Sequence, residues 1–176
     1  MNVELDTRMQ KNGYDDQTRR ILFVCTGNTC RSPMAAALCN DMRRPREVCS
    51  ACAAEELDCS LGVATSAGLY AAEGAPISPE AVTALQEGGV ALTPENDYAS
   101  HTARGVTRAM MAEADMVVGI TAAHAMELTL RYPEFASKIV TMPMDISDPF
   151  GRGMTAYRAC LMQLRYSLQL LCKGER

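Results

Sequence analysis

Beyond residue 20, short runs of β-branched and other apolar residues alternate with segments whose apolar positions recur every three or four residues. Residues 21–25, ILFVC, read as a buried strand. Ser32-Pro33 opens a helix, because a proline in the first turn loses no hydrogen bond. Met34, Leu38 and Met42 mark one face of that helix, and Pro45 is expected to end it. Residues 62–67 predict a second strand. Ser78-Pro79-Glu80 is a strong helix start, with the helix running to Gly88-Gly89. Val106, Met110 and Ala114 form a third helical face. Residues 115–120 predict a third strand, and Thr121 caps a fourth helix through Leu130. Residues 138–141 predict a fourth strand. After a loop at 142–153, a final helix carries the apolar stripe Tyr157, Leu161, Leu164, Leu168 and Leu171.

Strands separated by helices imply right-handed crossovers and an α/β fold, with a parallel sheet covered on both faces. Ligands of such sheets sit beyond the carboxyl ends of the strands. The length, 176 residues, suits one domain with one core, and 48% apolar and 22% charged residues are ordinary for a globular chain. No apolar run approaches the roughly 18–20 residues of a membrane span. The first twenty residues hold no signal-peptide core, so a cytoplasmic protein without membrane partners is expected. Residues 1–18 are polar and aperiodic, and read as an N-terminal extension to a domain at 19–176. The net charge of −4 argues against nucleic acid as a partner. It leaves open a small phosphate pocket, whose field is local.

Such a pocket is written into Cys25-Thr26-Gly27-Asn28-Thr29-Cys30-Arg31-Ser32, where a predicted strand passes into a predicted helix. Gly27 and Asn28 are residue types that tolerate a left-handed backbone, which lets a loop curl. Curled backbone N–H groups form an anion nest, and the helix N-terminus adds positive potential there. The planar fork of Arg31 can hold two phosphate oxygens. The same surroundings favour Cys25 as the nucleophilic thiolate, with Ser32 able to donate to it. A buried structural cysteine beside a chance arginine is the bland alternative. The glycine, asparagine, arginine and Ser-Pro together fit one anion site better.

The segment VCTGNTCRSP resembles the signature of the low-molecular-weight protein tyrosine phosphatases. The likeness extends over about 20–172, through Ser66-Ala67-Gly68, Gly74-Ala75-Pro76, His101-x-x-Arg104, Glu113-Ala114-Asp115, Thr121-x-x-His124 and Asp148-Pro149-Phe150. It breaks at an apparent insertion near 44–61. The resemblance implies a four-stranded parallel sheet in order 2-1-3-4, with the catalytic phosphate-binding loop after the first strand. It implies that Cys25 attacks phosphorus and forms a phosphocysteine, while residues 26–31 hold the phosphate. It implies that Asp148 protonates the leaving group and then activates water, with no metal or cofactor. Read without the family, Asp148 is an ordinary loop acid. A phosphorylated protein is the implied substrate, and a monomer is expected.

Within that family the chain is most similar to the bacterial protein arginine phosphatases. They carry Thr at the position of Thr29, where tyrosine-directed members carry a bulkier apolar residue. Thr29 presents a smaller, more polar surface, which suits a guanidinium better than a phenyl ring. Neutral packing is its other reading. Phe150 offers an apolar wall that can flank either group. Phosphoarginine is the preferred substrate, phosphotyrosine the alternative. A thiol-dependent arsenate reductase shares the loop and fold, but no third thiol is evident near the acid loop. A non-catalytic binding module would not need Cys25, Arg31 and Asp148 together.

The eight cysteines of a chain without an export signal point to reduced thiols. Cys30 is either a redox partner that shields Cys25 through a reversible disulfide, as the resemblance implies, or a small core residue. Cys49-x-x-Cys52, with Cys39 and Cys59, could bind zinc or serve as a redox pair, but it forms one close pair where a zinc site shows two, so reduced cysteines on an inserted helical segment are expected, and no metal. His101 and His124 lack partners at metal-ligand spacing. Both read as side chains that tie loops to the scaffold through ring hydrogen bonds.

Overall fold

The structure is a computed structural model that describes residues 19–43 and 61–174. The expected extension at 1–18, nearly all of the insertion near 44–61, Pro45, and Cys49, Cys52 and Cys59 lie outside the described residues. Among the described residues, four strands form one parallel sheet: β1 (Arg20–Cys25), β2 (Val63–Gly68), β3 (Met116–Gly119) and β4 (Ile139–Thr141). The order is β2-β1-β3-β4, as expected. Helices α1 (Arg31–Met42), α2 (Pro79–Glu87), α3 (Arg108–Glu113), α4 (Ala122–Arg131) and α5 (Gly153–Gly174) cover it. A 3₁₀ turn over Pro133–Lys138, not foreseen in the pattern, leads into β4 and takes Lys138 out of that strand.

β1 is central, and all of it except Arg20 is buried. Its side chains alternate across the sheet. Ile21, Phe23 and Cys25 pack in the core formed with α1, α2 and α5. Leu22 and Val24 pack on the other side with Met111 and Leu128 from α3 and α4. Burial on both faces explains why the strand reads as a continuous apolar run rather than an alternating one.

Helix α1 departs from the single apolar face expected of Met34, Leu38 and Met42. Every residue from Arg31 to Cys39 is buried, and so is Asp41. The helix lies between the sheet and α2 and α5, so it has no solvent face over those turns. Ala35, Ala36 and Ala37 permit the close approach. The chain leaves the helix at Met42, ahead of Pro45. Near its end, the Asn40 side chain accepts from the Ala64 N–H at 2.9 Å and donates to the Ala64 carbonyl at 3.0 Å. That amide satisfies backbone groups on the outer edge of β2, which no neighbouring strand pairs among the described residues.

Along α5, Tyr157, Leu161, Leu164 and Leu168 are buried as the stripe predicts, while Leu171 is half-buried. Each fully buried leucine contributes roughly 1.5–3 kcal/mol. The sheet register then sets the site. Cys25 lies opposite Gly68, and Val24 lies opposite Gly119. Neither glycine has room for a side chain. A Cβ on Gly68 would lie 2.7 Å from the Thr26 carbonyl oxygen, and one on Gly119 would lie 2.5 Å from the Ala125 nitrogen. The strand ends are thereby pressed against the loop after β1 and the first turn of α4.

Candidate active site

Between the end of β1 at Cys25 and the start of α1 at Arg31, the chain turns through Asn28. Among the described residues it is the one non-glycine with a left-handed backbone, φ 58°. Gly27 was expected to share that conformation and does not. Asn28 takes the turn because its side chain locks it there. Its amide nitrogen donates to Ser32 Oγ and Ser66 Oγ, each at 3.0 Å, and its Oδ1 accepts from the Arg104 N–H at 3.0 Å. Its carbonyl accepts from His101 Nε2 at 2.9 Å. Asn28 is wholly buried, so these bonds replace water that cannot reach it.

The loop curls around Cys25 Sγ. The Asn28 N–H donates to that sulfur at 3.3 Å, and Ser32 Oγ lies 3.0 Å from it. The N–H is a partner a thiolate requires, while the single Ser32 hydroxyl proton is also within reach of the Ala67 carbonyl at 3.2 Å. Arg31, the first residue of α1, is buried, yet its Nη2 donates to Asp148 Oδ2 at 2.8 Å. Residues 25–31 line a cavity of about 230 Å³ together with Asp148 and Phe150. The pocket predicted from Cys25, Thr26, Gly27, Asn28, Thr29, Cys30, Arg31, Asp148 and Phe150 is therefore one space. Ser32 stands behind it on the sulfur. Phe150 is 71% exposed, a free apolar wall at the mouth.

The loop's outer contacts were only partly legible. Ser78, expected to cap α2, makes no side-chain cap, because its hydroxyl lies 3.0 Å from Cys30 Sγ instead. Tyr157 Oη, from α5, lies 3.1 Å from the same sulfur. Burial and this contact push the Tyr157 hydroxyl's pKa up. The Ser78 N–H donates to the Thr29 carbonyl at 2.9 Å, which fixes the backbone of Thr29. Cys160 was missed as a third thiol beside the site. It is buried, and burial pushes its pKa up to about 12, with the charges of Arg31, Cys30, Asp148 and Cys25 acting on it. A thiol so held is a poor nucleophile at neutral pH. Cys25, Cys30, Cys39 and Cys160 are free thiols, whereas Cys172 is disulfide-bonded, which corrects the expectation of reduced thiols at that position.

His101 and His124 both hold parts of the loop. Burial lowers the His101 pKa, opposed by its bond to Asn28, and Arg104 lowers it further. His124 caps α4 reciprocally with Thr121: its N–H donates to Thr121 Oγ1, and its Nδ1 accepts from the Thr121 N–H at 3.1 Å. The usual sequence signal for that motif is Glu or Gln at this position, so the histidine concealed it. Its other nitrogen reaches Thr26 Oγ1 at 3.0 Å. No cluster of three or more His, Cys, Asp or Glu able to hold a metal occurs among the described residues.

Residues 20–174 match the sequence profile described as low molecular weight phosphotyrosine protein phosphatase. A protein-arginine-phosphatase of Geobacillus stearothermophilus is 35% identical over 162 residues, which cover 88% of this chain and 94% of the relative. A probable low molecular weight protein-tyrosine-phosphatase, EpsP, of Ralstonia nicotianae is 28% identical, over 84% of this chain and 89% of its own. Among solved structures, a YwlE arginine phosphatase mutant with a phosphorylated active-site serine superposes with a TM-score of 0.71 at 30% identity. That match covers 88% of this chain and 94% of the mutant.

Proposed function

The chain belongs to the low molecular weight phosphotyrosine protein phosphatase family, and from that membership we propose that it hydrolyses phosphoarginine in proteins, with Cys25, Arg31 and Asp148 as the reacting set. The observation that supports the reading is the shared cavity of about 230 Å³, lined by Cys25, Arg31 and Asp148 together.

In the first step Cys25 Sγ attacks phosphorus, and an S–P bond forms as the P–N bond to the guanidine breaks. The loop N–H groups and Arg31 hold the three equatorial oxygens as charge builds on them. The phosphate takes over the Arg31 fork that Asp148 now occupies. The displaced Asp148 carboxyl acts as general acid and gives its proton to the departing nitrogen. In the second step Asp148 accepts a proton from water, the oxygen attacks phosphorus, and inorganic phosphate leaves as the Cys25 thiolate returns.

Thr29 supports the guanidine as leaving group. It lines the cavity, its carbonyl is tied to Ser78, and its short branched hydroxyl keeps the wall polar. Phosphotyrosine is the second reading, supported by the exposed Phe150 ring at the mouth. Arsenate reduction is less well supported. Cys30 is committed to Ser78 and Tyr157, and Cys160 is buried with its proton firmly held.

The test is to give one preparation phosphoarginine and phosphotyrosine peptides of otherwise identical sequence. A higher kcat/KM for phosphoarginine is expected. The reverse order would make this a tyrosine phosphatase. Turnover of either substrate by Cys25→Ser at the wild-type rate would remove Cys25 from its role.

A further inference from the structure

Thr26, the residue after the nucleophile, is held from outside the loop on two sides. Its carbonyl accepts from the Tyr70 N–H at 2.9 Å, and its hydroxyl oxygen lies 3.0 Å from His124 Nε2. The direction of the second bond follows from the other end of the ring. A backbone N–H can only donate, so Nδ1 accepts from the Thr121 N–H at 3.1 Å, the Thr121 hydroxyl 2.8 Å away can turn its proton to the same nitrogen, and in a neutral imidazole the ring proton then sits on Nε2. His124 therefore donates to Thr26 Oγ1. With that oxygen accepting from the ring, its own hydrogen is free to point elsewhere, and Thr26 is exposed and lines the cavity.

We infer that His124 is a positioning residue of the phosphate loop, which turns the Thr26 hydroxyl into a fixed hydrogen-bond donor aimed at the bound phosphoryl group. The inference rests on the phosphatase reading of the cavity. The surroundings keep the ring in the required form. Burial and then the Arg31 cation lower its pKa, while Glu127, Asp148 and Asp145 oppose them. α4 thereby acts on the loop through a single side chain, and the cap that orders its first turn also sets which ring nitrogen faces Thr26.

The alternative role for His124 is that of a cap and nothing more. Two conservative variants of the full chain separate the roles. In His124→Asn the amide oxygen falls near the Nδ1 position, so it can still accept from Thr121, but the side chain is too short for Thr26. In His124→Gln the amide nitrogen falls near Nε2 and can still donate to Thr26, while Gln is also a residue type that serves this capping box. The substrates are p-nitrophenyl phosphate and a phosphoarginine peptide, with the thermal midpoint measured alongside. The expected result is that His124→Asn keeps the midpoint and loses roughly 10- to 150-fold in kcat/KM, the range of one lost hydrogen bond to a charged group. His124→Gln should keep more of the activity than His124→Asn, because it retains a donor for Thr26. Thr26→Val should lose as much activity as His124→Asn, and the double variant should lose no more than either alone. Full activity in His124→Asn, or losses that multiply in the double variant, would overturn the pairing while leaving the phosphatase intact. A wild-type chain that turns over neither substrate would refute the phosphatase reading itself, and this inference with it.

Discussion

Asp148 meets Arg31 directly, and both line the cavity above Cys25. If the carboxyl gives its proton to the leaving group, its removal matters most where the leaving group is a poor one. Asp148→Asn should therefore slow turnover of a phosphoarginine peptide by the ~10²–10⁴ typical of a lost general acid, and slow p-nitrophenyl phosphate far less. An equal loss on both would count against Asp148 as the proton donor. Thr29 is tested by a ratio. Thr29→Ile removes a hydroxyl beside the guanidine and adds apolar surface beside a phenyl ring. The ratio of kcat/KM for phosphoarginine over phosphotyrosine should fall by roughly 5- to 150-fold, the range for leaving a polar group unpaired. A change within about threefold, below the ~1 kcal/mol of one hydrogen bond, would clear Thr29 of selecting the substrate. The loop residues were legible in the sequence because each has chemistry few residue types share: an asparagine that accepts a left-handed turn, an arginine fork, a thiol. The partners behind them were not. Tyr157 meets Cys30 across 127 positions of chain, and nothing local in α5 distinguishes that tyrosine from an apolar stripe residue.

At the level of the elements, α2 and α5 could be read because one face of each is buried and the other is wet. The period of a helix shows only when its faces differ. α1 lacks that contrast, so its depth in the fold was hidden even though its start was plain. Strand ends shifted by a residue, since β2 runs on to Gly68 and β3 stops at Gly119. Both ends are glycines chosen for closeness rather than for strand propensity. Gly68→Ala tests this at the junction of strand and loop. A methyl group 2.7 Å from the Thr26 carbonyl must move backbone, so the variant should lose ~1–3 kcal/mol of stability. It should also lose activity at temperatures where it is fully folded, because what moves is the loop. Unchanged kcat/KM in the folded variant would show that the loop does not depend on this contact.

For the molecule as a whole, His101 and His124 link its stability to mild acid. Both pKa values lie below the ordinary 6.5 in the folded chain, largely through burial. Between the lowered values and 6.5 the unfolded chain binds more protons, so stability rises with pH across that window. It should be complete above about 6.5 and fall as the pH drops through 6.5 toward the lowered values. Glu87 and Glu127, whose pKa values are lowered from 4.5 mainly by hydrogen bonds from Arg158 and Tyr70, act in a more acidic range. A thermal midpoint that stays flat from about pH 7.5 to 5.5 would contradict the histidine assignment, whereas a drop that shrinks in His124→Asn would support it. The buried, cross-tied Asn28 has a different kind of consequence. Ordering a residue costs about 1–2 kcal/mol of conformational entropy, and in this loop that entropy is surrendered when the chain folds, before any phosphate arrives. Apart from the exchange of Asp148 for phosphate at the Arg31 fork, encounter is then with a finished loop, so association should be a step whose observed rate climbs in proportion to ligand concentration, with no plateau from a slow backbone rearrangement.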